Sequence, residues 1–202
     1  MFNSKEIRWF SKTEDKAISN WFKKKSYSFE DTEARTDFYL PLTGKKEIGI
    51  KLREGKIEVK QLIAEPEKGN LSANAEGFFE RYSKWSFSTS ENDSLSKEII
   101  TEKKYDWLDV KKERMGVKLK KETNGNTAIV KIDEFISYGC QIEYTRIKVK
   151  ETTWYSFGLE WFGEKELEVD QALIHEILGD SRLNPDESMG YAEFLNLEIF
   201  SG

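Results

Sequence analysis

Cysteine and histidine are almost missing from this chain. There is one of each, Cys140 and His175, in 202 residues. A single cysteine excludes a disulfide framework, and one histidine beside it excludes a Cys/His zinc site. A Ser-His-Asp or Cys-His reaction would have to run through His175. Long apolar runs are also missing: nothing approaches the roughly 20 residues that a membrane span needs. The opening MFNSKEIRWF is polar rather than signal-like, so the expected location is the cytoplasm, with no membrane partner. Net positive charge is lacking too. With 37 acidic and 32 basic residues the formal charge is −5. That argues against nucleic acid as a partner, which calls for a basic surface. A local basic cavity stays open, because a summed charge says nothing about arrangement.

What the chain does have is charge and aromatic rings. Charged residues make up 34% and aromatics 13%, against 38% hydrophobic residues. Such a composition is globular but polar, and the aromatic content favours strands and barrel-like cores. No linker or internal repeat interrupts it, so a single domain over 1–202 is expected.

The stretch EIGIKLREGKIEVK, residues 47–60, alternates nearly throughout. Ile48, Ile50, Leu52, Ile57 and Val59 share one face of a hairpin. Lys51, Arg53, Glu58 and Lys60 share the other. The same alternation predicts strands in KEIRWF (5–10), EARTDFYLP (33–41), FFERYSKWSF (78–87) and WLDVKKERMGVKLK (107–120). After a TNGN turn it predicts three more, in AIVKIDEF, CQIEYTRIKV and WYSFGLEWF. Residues 65–77 read as a polar loop, and 90–104 as a loop or short surface helix. Helices are expected after Thr13 as N-cap, ending in Lys23–Lys25, and over QALIHEIL between Asp170 and Gly179. A second short helix is expected from Pro185 through Tyr191 to Leu195. His175 lies off the apolar stripe of its helix and reads as a surface residue, while Cys140 reads as a small buried one.

Hairpin-linked strands of this kind form an antiparallel sandwich or barrel. Which way their charged face points is open at this stage. Most such faces meet water. Yet Arg8, Arg35, Lys51, Arg53, Lys60, Lys84, Lys112, Arg114 and Lys118 all fall opposite the apolar residues. If the sheet closes with its apolar face outward, these cations converge in the lumen, where Glu6, Glu58, Glu143 and Glu160 offset them in part. The lumen would then suit a highly charged anion.

Six pieces carry a resemblance: EIRWF (6–10), GIKLREGKIEVK (49–60), WLDVKKER (107–114), CQIEYTRI (140–147), FGLEWFG (157–163) and GYAEFL (190–195). In this order and spacing the chain resembles the CYTH superfamily, the triphosphate tunnel enzymes, and within it an uncharacterised divergent branch. The resemblance implies an α+β fold, an antiparallel tunnel of roughly eight strands with a few flanking helices. It puts the charged face inward. It also implies a phosphorylated small molecule or polyphosphate as partner, Mg2+ or Mn2+ as cofactor, and a monomer or homodimer. In such enzymes cations hold the phosphates and glutamates hold the metal.

By this resemblance Arg8, Lys51, Arg53, Lys60, Lys112, Arg114 and Arg146 would bind phosphate, and Glu6, Glu143 and Glu160 would bind metal. The departures are specific. The opening E-x-E-x-K strand of the family reads Glu6-Ile7-Arg8-Trp9-Phe10, so an arginine replaces the second carboxylate and a phenylalanine the lysine. The late E-x-E keeps Glu160 but has Phe162. Magnesium favours hard carboxylate oxygens, and a guanidinium in place of one sets cation beside cation. Two readings follow: a divergent metal-dependent triphosphatase, or a non-catalytic binding protein for polyphosphate or organic phosphate.

Overall fold

In the computed structural model of the chain, residues 2–88, 94–104 and 106–200 are described. Alternating runs give the strands β1 (Phe2–Ser11), β2 (Arg35–Leu40), β3 (Ile48–Arg53), β4 (Lys56–Leu62), β5 (Glu67–Ser72) and β6 (Ala75–Ser88). Then come β7 (Leu108–Lys121), β8 (Thr127–Lys131), β9 (Gly139–Val149) and β10 (Thr152–Phe162). The helices are α1 (Lys16–Lys24), α2 (Ser94–Ile100), α3 (Gln171–Leu178) and α4 (Tyr191–Phe200). The β3–β4 hairpin turns on Glu54 and Gly55, with φ of 48° and 69°. Positive φ at both central residues matches the twist of a two-residue hairpin, and it is why glycine stands second.

Eight strands form a closed ring in the order β1, β10, β9, β7, β2, β3, β4, β6, and β6 pairs back with β1. Every pairing in the ring is antiparallel. β5 and β8 lie outside it, on β6 and β7. Closure leaves the ring itself without free edges, apart from the short added strands β5 and β8. A ring of eight is just wide enough to be filled by side chains or to hold one small ligand.

The apolar face points outward, and α1 and α3 cover the part of it carried by β1, β7, β9 and β10, while Trp85 and Phe87 of β6 stay exposed. Ile7, Met115, Val117, Ile142, Phe157 and Leu159 are buried there. α1 lays Ile18, Trp21 and Phe22 on this face, and α3 adds Ile174, Ile177 and Leu178. Each such side chain contributes about 1.5–3 kcal/mol on leaving water. A second core plugs one end of the ring. Inward-facing Phe10, Tyr39, Val110, Ile147 and Val149 meet Phe194 and Leu195 of α4, and Phe10 stacks on Phe194 at 4.0 Å between centroids. No helix among the described residues is long and apolar enough to cross a membrane.

Several local expectations need correction. Asp15, not Thr13, caps α1, its carboxylate accepting from the Ala17 and Ile18 amides at 2.9 and 3.1 Å. The expected loop at 65–77 contains β5, a short polar edge strand whose residues do not alternate in hydrophobicity. The total is therefore ten strands. β8 stops at Lys131, well short of Phe135. Pro185 opens only a 3₁₀ turn to Glu187, and the chain extends again before α4 begins. Within 90–104, α2 is the short surface helix, while 89–93 lie outside the described residues. His175 is exposed and Cys140 is fully buried, as the sequence suggested.

Candidate functional site

Register decides what enters the lumen. Across β3 and β4, Lys51 lies opposite Glu58; across β2 and β3, Tyr39 lies opposite Lys51; across β2 and β7, Arg35 lies opposite Lys112. All these positions belong to the inward set, because the outward set is fixed by the apolar side chains. The result is a cavity of about 120 Å³ lined by eight cations: Arg8, Arg35, Lys51, Arg53, Lys60, Lys84, Lys112 and Arg114. Four glutamates share the wall: Glu6, Glu58, Glu143 and Glu160. Tyr191 and Ala192 of α4 form its inner end.

The charges are organised around four acidic centres, one of them Glu58, which pairs with Lys51 at 3.1 Å and with Arg53. Asp37, fully buried just behind the wall, accepts from Lys112 at 3.0 Å and from Arg35 at 2.9 Å, with Lys51 at 3.6 Å. Burial would raise its pKa, but these three cations outweigh burial and hold it well below the usual carboxylate range. Glu143 meets Arg8 at 2.7 Å and Arg114 at 3.5 Å, and accepts from Gln141 at 2.9 Å. Here too the guanidinium groups outweigh burial and hold the pKa low. The fourth centre is a carboxylate row. Glu6 lies opposite Glu160 on one side and Glu80 on the other, and its carboxylate accepts from Lys60. Burial, aided by the charge of Glu6, pushes Glu160 up to about 7. Burial also pushes Glu80 up to about 7, against a hydrogen bond from Tyr82.

The lysines respond in the opposite sense. Burial, then the charge of Lys112, pulls Lys51 down to about 7, and burial pulls Lys112 down to about 8 against the attraction of Asp37. Burial is the main cause of both lowered values, and neighbouring cations add to it while Asp37 and Glu58 oppose it.

Nine of the ten residues carried over from the sequence resemblance meet in this cavity. Arg146 does not. It is on β9 at even parity, where side chains face out, and it pairs with Glu113 and Glu30 beside the Phe29 ring. Lys118, another cation of the alternating face, lies beyond the cavity and donates to the Glu134 carbonyl at 2.8 Å. Arg35 and Lys84 join the lining, although the resemblance did not single them out. Thr145, Gln141, Tyr39 and Tyr82 are also in the wall, and their inward parity on strands was the available signal. Tyr191 had no such signal, since a helix from the far end of the chain brings it in.

The three glutamates assigned to metal do not make a metal site. Glu143 is committed to two guanidiniums, Glu6 to Lys60, and burial together with the charge of Glu6 pushes Glu160 up to about 7. Arg8 stands between them on the same face. Among the described residues no group of three or more Asp, Glu, His or Cys side chains is placed to hold a metal ion. The donor set is chemically that of an anion site. A second, larger cavity of about 590 Å³ lies outside the ring, between α1 and residues 179–187, with walls of mixed sign and aromatic character.

No family model and no curated protein matches the chain. Among solved structures, the PH1012 protein from Pyrococcus horikoshii OT3 aligns with 93% of this chain and 98% of its own, at 13% identity and a TM-score of 0.39. So loose a likeness carries no argument about fold or activity.

Proposed function

We propose that this protein binds a phosphorylated anion, foremost a triphosphate-bearing compound or short polyphosphate, inside the barrel. The observation that carries this reading is the convergence of eight cations from six strands on one cavity that holds four glutamates. Packing like charges this closely is costly unless carboxylates and a bound anion together offset them. Arginine supplies forked donors for phosphate oxygens, and lysine supplies compact charge. Size supports the reading too. The cavity of about 120 Å³ is well above the roughly 10–15 Å³ that a single water needs, so it has room for a small polyatomic anion.

Thermal melting in increasing tripolyphosphate or orthophosphate, with and without magnesium, tests the proposal. A ligand that binds only the folded state raises the melting temperature with concentration. Tripolyphosphate should do so well before orthophosphate, because it engages more of the cations at once. Equal, weak effects of both anions at matched ionic strength would count against a dedicated site.

A further inference from the structure

Arg8 is built into the barrel wall as a fixed charge. Its guanidinium is 6% exposed, bonds Glu143 at 2.7 Å, donates to Ser156 Oγ at 3.2 Å, and lies 5.0 Å from the centre of the Tyr191 ring. Gly158, directly opposite on β10, leaves the hollow that it fills. Lys112 shares the same ring, 3.8 Å from its centre, and is 6% exposed. It spends donors on Asp37 at 3.0 Å and Tyr39 Oη at 2.7 Å, which leaves one of its three N–H groups unassigned.

Beside them is an orphan. Thr145, 1% exposed, lines the cavity, and its Oγ1 has no hydrogen-bond partner. It lies in register with Arg114 on one side and Ser156 on the other. A buried hydroxyl without a partner costs free energy unless something else completes it. A phosphoryl oxygen, an acceptor only, would satisfy the hydroxyl proton, the open N–H of Lys112 and the guanidinium together.

We propose that Arg8, Lys112 and Thr145 form a metal-independent phosphoryl subsite at the inner end of the lumen, with Arg8 as its fixed cation. The inference rests on the anion-binding reading and deepens it. Glu143 orients the guanidinium through their 2.7 Å ion pair. The ligand enters as the free polyanion, and magnesium acts only by competing for it in solution.

Calorimetric titration of tripolyphosphate in EDTA and then in magnesium chloride tests this, with wild type, Arg8→Gln, Arg8→Lys and Thr145→Val. Wild type should bind at least as tightly in EDTA as in magnesium. Arg8→Gln should lose about ten- to a hundred-fold in affinity, the scale of a charged hydrogen bond, with partial recovery in Arg8→Lys. Thr145→Val keeps the shape and should lose several-fold while melting no lower than wild type, which carries the test if the Arg8 variants do not fold. Wild-type binding that appears or tightens tenfold only with magnesium would overturn the subsite and leave anion binding standing. Unchanged affinity in Thr145→Val and Arg8→Gln would also overturn it. No wild-type binding in either buffer would remove the anion reading itself, and the subsite with it.

Discussion

Arg8 and Gly158 face each other across β1 and β10, and the guanidinium of one occupies the space where a side chain on the other would stand. A Cβ on Gly158 would lie 2.9 Å from Arg8 Cζ. Arg8 is tethered to Glu143 and Ser156 and has little room to withdraw. Gly158→Ala should therefore cost about 1–3 kcal/mol, the range for overpacking a tight interior, and weaken anion binding as Arg8 shifts. Urea unfolding of the purified variant measures the first effect; an unchanged midpoint would show that the hollow is looser than described.

Asp37 holds three cations with one buried carboxylate. Asp37→Asn leaves Lys112, Lys51 and Arg35 without it, and breaking a buried pair from one side costs about 3–5 kcal/mol. The variant should also gain more from tripolyphosphate than wild type does, because the ligand would then supply the missing negative charge. Melting curves with and without tripolyphosphate read both effects, and a loss below about 1 kcal/mol would contradict the network.

Anion affinity should fall as pH rises through neutrality. Lys51, pulled down to about 7, loses its proton in this range, while Glu160 and Glu80, pushed up to about 7, lose theirs. All three changes make the lumen less positive. Binding near pH 7 should take up protons, visible as a calorimetric enthalpy that depends on buffer ionisation. A pH-independent affinity between about pH 6 and 8 would argue against this charge assignment.

Stability without ligand should show a shallow minimum near neutral pH. Glu160 and Glu80 are raised above 4.5, so the stability they confer is full below 4.5 and is lost as pH climbs to about 7. Lys51 and Lys112 are lowered from 10.5, so the unfolded chain holds more protons between about 7 and 10.5, and stability recovers as pH rises through that window. Melting temperatures at closely spaced pH values test the shape; a maximum at pH 7 is the opposite of what these groups predict.

Arg146 supplies the control. Its pairs with Glu113 and Glu30 lie outside the ring, and its side chain is 32% exposed. Arg146→Ala should cost no more than about 1 kcal/mol, as exposed pairs do, and leave tripolyphosphate affinity within about twofold of wild type. A large loss of affinity would restore it to the site.

The barrel was legible because period-two alternation is strong in β1, β3, β4, β7, β9 and β10, and away from the plugged end each of these strands carries most of its apolar side chains at one parity. The direction of closure was not legible from alternation. It depends on α1 and α3 offering the outward face their apolar stripes, which is a tertiary event. β5 was missed because EKGNLS shows no alternation and is held mainly by backbone pairing with β6. Arg146 was misplaced because matching a motif by type ignores parity: Glu143 and Thr145 face the lumen, so residue 146 between Thr145 and Ile147 cannot. Thr145 and Tyr191 escaped notice for different reasons. A lone threonine gives no charge signal, and a helical tyrosine reaches the lumen only through the packing of Phe194 on Phe10.

Titration of tripolyphosphate into wild type and into the double variant Lys51→Gln, Arg53→Gln, at about 50 mM salt and again at about 200 mM, tests the central claim most directly. The account predicts one saturable site in wild type, weakened by the added salt, and little or no binding in the double variant despite a native fold. Equal binding by both proteins would place the anion elsewhere and contradict a binding site inside the barrel.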